Sequence, residues 1–179
     1  MLRKNGGTGL LTVSPRATLL QETLLRTDGT VTDLLELFTG ENIRVDKVTP
    51  GLYSSECDWP NACGNPGPTI RDVVLRGRNT DLPYIFAHTH LFPERLEAPV
   101  QTQLSETNEP IGKVLRQHRL EDFRQIEERG IRSIPTVAGI LGGEPTDQMR
   151  WRRYSVLSGG LVIMEITEVF SEYLFETTL

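Results

Sequence analysis

Two charged residues stand in stretches that otherwise alternate like strands with one apolar side. Counting in twos through residues 161–170, Val162, Met164, Ile166, Glu168 and Phe170 share a side, and Glu168 is its only charge. The opposite side holds Leu161, Ile163, Glu165, Thr167 and Val169, so Glu165 is the more ordinary acid. A carboxylate on an apolar face loses hydration, which raises its pKa unless a cation or hydrogen-bond donors compensate. That is the setting in which a glutamate serves as general acid or base near neutral pH. Through residues 69–76 the anomaly recurs with opposite sign. Arg71 shares a side with Val73 and Leu75 and is the only charge there. A guanidinium is not neutralised by burial, so it needs an anion. Three readings stay open on spacing alone: Arg71 and Glu168 pair as a buried structural salt bridge, both serve a ligand, or the face is exposed and idle.

Other candidates carry less. His88 and His90 lie two apart on one side of a strand, a geometry open to two metal ligands, but no third ligand is obvious and ordinary strand histidines are the favoured reading. Arg150, Arg152 and Arg153 form a basic cluster that could attract an anion, although charges flanking a strand are mostly solvated. Pro110-Ile111-Gly112 looks like a helix start with free backbone N–H groups. Cys57 and Cys63 are only two ligands and do not make a zinc site, and free thiols are favoured over a disulfide. No glycine-rich phosphate loop and no nucleophile elbow occurs, so nucleotide and acyl-transfer chemistry lack their parts.

The elements that must position these residues fit one domain spanning the chain's 179 residues, with residues 1–13 expected to be flexible. A net charge of -5 argues against nucleic acid as the main partner, and an anionic ligand would then have to be held locally by a few placed arginines. No apolar run is long enough to span a membrane and the first residues lack a secretory signal, so no membrane partner and a cytoplasmic location are expected.

Ser14-Pro15 reads as a helix start, followed by a stripe of Leu19, Leu20, Leu24 and Leu25. Thr27-Asp28-Gly29 breaks that helix. Thr30 with Asp33 fits a capping box, and Leu34, Leu35, Leu37 and Phe38 make a second helix closed by Gly40. From Asn42 the period changes to two, with Ile43, Val45 and Lys47 alternating with Arg44 and Asp46. Residues 61–68 are loop. Strands over 69–76 and 84–90 follow, then a short helix over 111–117 and a hairpin of 150–157 with 161–170 turning at Ser158-Gly159-Gly160. Short connections imply antiparallel pairing, and the class is α+β. The sequence shows no internal repeat.

In this order the pieces resemble the chorismate lyase family. Leu24-Leu25-Arg26-Thr27-Asp28-Gly29-Thr30-Val31-Thr32-Asp33 looks like its N-terminal helix pair with an Asp-Gly-Thr-x-Thr turn, and Ile70-Arg71-Asp72-Val73-Val74-Leu75 like its Arg-Glu-Val-x-Leu strand. The stretch 83–93 is similar to the next strand, Pro110-Ile111-Gly112-Lys113-Val114-Leu115 to the family's helix start, and Arg153-Tyr154 with Thr167-Glu168-Val169-Phe170 to its final hairpin. The resemblance implies an antiparallel sheet of about six strands flanked by helices, with an internal pocket under helix-turn-helix flaps. It places the catalytic pair on Arg71 and Glu168 and the ligand contacts on Arg71, Ile111 and Gly112. It implies a cofactor-free, metal-free elimination of pyruvate from chorismate, a small dianion, to leave 4-hydroxybenzoate.

Departures from the family pattern are Leu161 after Gly159-Gly160, Ser171-Glu172 where proline is common, and the connector from Cys57 to Pro68. His88 and His90 lie on a strand that could line the pocket. These leave room for an enzyme of secondary metabolism acting on another carboxylated substrate, or for a non-catalytic binding domain like the effector domains of transcription factors.

Overall fold

The computed structural model describes residues 15–48, 68–172 and 174, with side chains from residue 19 onward. The readings made for Ser14, for Cys57 and Cys63 and for residues 1–13 fall outside that range. Two helices open the fold, α1 (Pro15–Arg26) and α2 (Val31–Thr39), followed by strands β1 (Ile43–Val48), β2 (Thr69–Gly77) and β3 (Pro83–Leu91). After a 3₁₀ turn at Pro93–Arg95 come α3 (Ala98–Glu106), α4 (Ile111–Gln117), β4 (Phe123–Ser133), α5 (Pro135–Ile140), β5 (Gln148–Ser158) and β6 (Leu161–Phe170). The described strands form one antiparallel sheet in the order β1-β2-β3-β6-β5-β4. The class is α+β, as the alternation requires.

That strand order contains a duplication. A helix pair precedes a three-stranded meander twice, α1–α2 before β1–β2–β3 and α3–α4 before β4–β5–β6, with α5 inserted after β4. The two meanders meet at β3 and β6, so β2 and β5 hold equivalent places on either side of the midline. Each faces a β-bulge in its inner neighbour, where Tyr84 of β3 is the extra residue opposite Leu75/Arg76 and Ile163 of β6 the extra residue opposite Val156/Leu157. No sequence repeat accompanies this, so what is duplicated is the architecture.

Both helix pairs cover the same face of the sheet. Leu24 and Leu35 pack on Val45, Val73, Leu75, Ile85 and Phe170, and Val100, Leu104, Val114 and Leu115 pack on Tyr154, Val156, Met164 and Ile166. The reverse face is sealed over Val74, Phe86, Trp151 and Val169 by Val137, Ala138 and Leu141 of α5 and its cap. Each fully buried aliphatic side chain contributes about 1.5–3 kcal/mol, enough to explain why both faces of the central strands are apolar.

Several local readings need correction. Thr30 is the N-cap residue of α2, but its side chain makes no capping hydrogen bond. Asp33, the other half of the expected capping box, instead pairs with Arg116 of α4 at 3.0 Å, tying the two helix pairs together. Gly40 does close α2, at a φ of 69° that favours glycine, with its N–H donating to Glu36 O. Gly159 and Gly160 both take positive φ, 57° and 81°, as a tight hairpin turn demands. Strand β4 carried no signal because its residues alternate only between exposed and half-buried at the sheet edge.

Glu41, just after α2, locks the β2–β3 turn. It accepts hydrogen bonds from the backbone N–H of Asn79 (2.7 Å) and Thr80 (3.1 Å) and from the hydroxyls of Thr80 (2.7 Å) and Tyr84 (2.7 Å). Burial pushes its pKa up, but these donors outweigh it and hold the carboxyl at about 2, below its ordinary 4.5. A depressed folded-state pKa means the stabilisation is complete above pH 4.5 and is lost as the pH falls toward 2. Glu41→Gln is therefore expected to lower the melting temperature at pH 7 and to converge on the wild type at the acid end of that window. Parallel melting curves at every pH would contradict the assignment.

Candidate functional site

Between the two helix pairs and the sheet lies a cavity of about 60 Å³. Arg71, Val73, Ala87, Thr89, Tyr154, Ile166 and Glu168 form its floor. Its roof is made by the two helix-helix turns: Gly29 to Thr32 from the first pair, and Pro110, Ile111 and Gly112 from the second. The four residues singled out from the sequence, Arg71, Ile111, Gly112 and Glu168, are thus brought together around one space. Arg71 and Glu168 are each only 6% exposed, so the idle-face reading is excluded.

Arg71 and Glu168 do not pair with each other. Glu168 is held by Arg152, directly opposite it on β5, whose Nε donates to Oε2 at 2.7 Å. Tyr154 donates its hydroxyl to Oε1 at 3.0 Å. These are the cation and donor that a buried carboxylate requires. Arg152 is 0% exposed, which corrects the view of residues 150, 152 and 153 as a solvated cluster. Its neighbours behave as expected, Arg150 pairing with Glu172 and Arg153 with Glu128. Burial pushes the Arg152 guanidinium down, but the charge of Glu168 and the contact with Tyr154 outweigh it and leave its pKa raised. Tyr154 shifts upward because it is buried and sits beside Glu168, so its phenol stays a hydrogen-bond donor.

Both arginines also reach the roof. Arg152 Nη1 donates to Thr27 O at the end of α1 (2.7 Å), and Arg71 Nη2 donates to Glu109 O just before α4 (2.9 Å). Arg124 donates to Asp28 O at 3.0 Å. Three buried or half-buried arginines therefore hold the helix turns down through backbone carbonyls. Three buried donors around the cavity lack a hydrogen-bond partner among the described residues: Arg71 Nε, Arg152 Nη2 and the Thr89 hydroxyl. Burial alone pushes the Arg71 guanidinium below its ordinary pKa, with no carboxylate among the described residues acting on it.

The strand of His88 and His90 lines the cavity, as expected, through Ala87 and Thr89, while the two histidines lie on its other face and line no part of it. His88 Nδ1 meets Asp72 Oδ1 at 2.6 Å, and its Nε2 meets His90 Nε2 at 2.9 Å. Burial, and then the charge of His88, lower the His90 pKa. Among the described residues no group of three metal-ligating side chains converges. A larger hollow of about 470 Å³ lies between β2 and α3 and touches Arg71 and Asp72, but Glu168 is not part of it.

The roof turns meet closely. A Cβ on Gly112 would come within 2.8 Å of Thr30 Cγ2, so glycine is what lets the second turn close against the first.

The apolar face of this α+β sheet thus carries a paired acid and a half-partnered arginine around one buried cavity, beneath two tethered helix turns. The chain belongs to the Rv2949c-like chorismate pyruvate-lyase family, whose model matches residues 25–178. It is 28% identical over 160 residues to the chorismate pyruvate-lyase of Mycobacterium tuberculosis, covering 85% of this chain and 79% of that one. It is 31% identical over 155 residues to a protein of Methanocaldococcus jannaschii provisionally named a lyase, covering 84% and 77%. Among solved structures it has a looser likeness to the C-terminal domain of a histidine utilization repressor from Pseudomonas syringae pv. tomato, with a TM-score of 0.46, 11% identity, and coverage of 77% of this chain and 97% of that one. Among the described residues no helix is long and apolar enough to cross a membrane.

Two outcomes follow from this geometry. Arg152→Met leaves Glu168 buried without its cation and is expected to cost about 3–5 kcal/mol in urea unfolding. Arg152→Met combined with Glu168→Leu should recover most of that, and singles costing under about 1 kcal/mol would show that the pair is not buried as described. Gly112→Ala should prop the roof open and speed release of a bound aromatic acid in stopped-flow experiments, with Thr30→Ala added to it restoring slow release. An unchanged release rate would mean that the turns do not gate the cavity.

Proposed function

We propose that this protein eliminates pyruvate from chorismate to give 4-hydroxybenzoate. The observation that carries the reading is the convergence of Glu168 and Arg71 on one cavity, in a chain whose family is named for this reaction. In the elimination the ring carbon bearing the hydroxyl loses a proton and the neighbouring carbon–oxygen bond to the enolpyruvyl group breaks. The ring becomes aromatic. The departing enolpyruvate takes a proton on its methylene carbon and becomes pyruvate. Atoms and charge balance without an oxidant, a reductant or a cofactor.

Each part has a matching group. Glu168, fixed by Arg152 and Tyr154, is the residue to take up and return the proton. Arg71 binds a substrate carboxylate, and Ile111 and Gly112, which line the same space from the roof at the start of α4, offer it backbone N–H groups. The surrounding Val73, Ala87, Val156 and Ile166 exclude water and accommodate the forming aromatic ring. A cavity of about 60 Å³ is well below the roughly 300 Å³ of an ordinary ligand pocket, so substrate entry requires the two helix turns to part and re-close.

The test is pyruvate release from chorismate by the purified protein. Wild type is expected to release it, and Glu168→Gln to lose on the order of 100-fold or more in kcat while still binding 4-hydroxybenzoate. Arg71→Met should weaken that binding. Wild type that binds 4-hydroxybenzoate but never releases pyruvate would replace this reading with a different reaction on a related acid, or with ligand binding alone.

A further inference from the structure

The duplicated architecture allows the two halves of the site to be compared residue by residue. Aligning them by strand order and by their equivalent bulges sets β2 against β5 and β3 against β6. Arg71 then matches Arg152, and Thr89 matches Glu168: Arg71 lies directly opposite Thr89, as Arg152 lies directly opposite Glu168. The match extends to the roof. Arg152 holds a carbonyl at the turn of the first helix pair, and Arg71 holds one at the turn of the second, so each arginine crosses to the other half's cover.

The halves differ in what meets each guanidinium. Arg152 Nε donates to a carboxylate on the neighbouring strand. Arg71 Nε has no partner among the described residues, the residue in the matching place being a threonine. Thr89 is 0% exposed, lines the cavity, and its hydroxyl likewise has no partner among the described residues. Two adjacent buried donors without an acceptor cost stability unless something accepts from both. A carboxylate, with two acceptor oxygens and one negative charge, meets both needs. A neutral amide or alcohol would leave the guanidinium uncompensated.

We propose that Thr89 is a ligand-binding residue which, with Arg71 Nε, receives the carboxylate of an aromatic acid in the place that Glu168 fills beside Arg152. This rests on reading the cavity as the site of such an acid. Half of the duplicated pair thus carries its own acid, and the other half takes its acid from the ligand. The position of that carboxylate follows from the register. Thr89 faces Ile166 on β6, one side-chain step along the same face from Glu168, so the acid group enters the same cavity that Glu168 lines.

The experiment is calorimetric titration of the full chain with 4-hydroxybenzoate and, separately, with its neutral isostere 4-hydroxybenzamide. Wild type should prefer the acid. Thr89→Val keeps shape and burial and should weaken acid binding about tenfold without affecting the amide, while Thr89→Ser should bind like wild type. Thr89→Glu places an internal carboxylate beside Arg71; it should fold, melt higher than Thr89→Val, and no longer bind the acid. Wild type that fails to distinguish acid from amide, or acid binding unaltered in Thr89→Val, overturns the proposal. The two readings fail separately. Pyruvate release with normal acid binding by Thr89→Val leaves the lyase standing without Thr89, whereas Thr89-dependent acid binding without pyruvate release leaves this site standing without the lyase.

Discussion

Everything in the site is arranged around the pairing of Glu168 with Arg152. A carboxylate in the middle of an apolar sheet face has to be compensated from within the protein, since isolated burial of the charge would cost more than the fold can spare. Arg152 meets this from the adjacent strand, and Tyr154 donates to the second oxygen. The same guanidinium then holds the end of α1 through Thr27 O. One buried cation therefore fixes the orientation of the acid and the height of the roof above it. Arg71 does the equivalent for the second roof turn but has no acid paired with it among the described residues.

A chain of net charge -5 can still present a local cationic group to a buried cavity. The overall charge governs long-range behaviour, whereas recognition inside a cavity depends on a few groups in a medium of low polarity, where one guanidinium outweighs several distant carboxylates. The acidic balance of the whole chain and the two arginines at the cavity are separate features, and only the second bears on what the cavity can hold.

Much of this was legible in the sequence, for definable reasons. A lone charge in a row of apolar residues at a spacing of two contradicts its surroundings, so Glu168 and Arg71 stood out, and the hairpin of β5 and β6 was marked by its glycines. Arg152 was hidden twice. Its strand also carries Arg150 and Arg153, which disguise one buried arginine as a solvated cluster. The bulge at Val156/Leu157 hid its partner: counting back from Ser158 opposite Leu161 without that extra residue brings Arg152 opposite Thr167, on the wrong face. The signal that could have revealed it is the alternation of Arg152 with Tyr154 and Val156. Thr89 gave no signal, because a threonine in a strand is ordinary until its hydroxyl is found buried without a partner. The orientation of His88 and His90 depended on which side of β3 the helices cover, and alternation alone does not determine that.

The charged outer strand has a further consequence. Strand β4 ends the sheet with a row of backbone groups that could accept a strand from another molecule, the usual starting point for aggregation of open sheets. Its side chains include Arg124, Glu127, Glu128, Arg129 and Arg132, and an irregularity between Ile126 and Glu128 breaks the even ladder. An incoming chain would meet mixed charges and a kink instead of a flat, greasy margin. The composition that made this strand unreadable as a strand is what protects the sheet from unwanted neighbours.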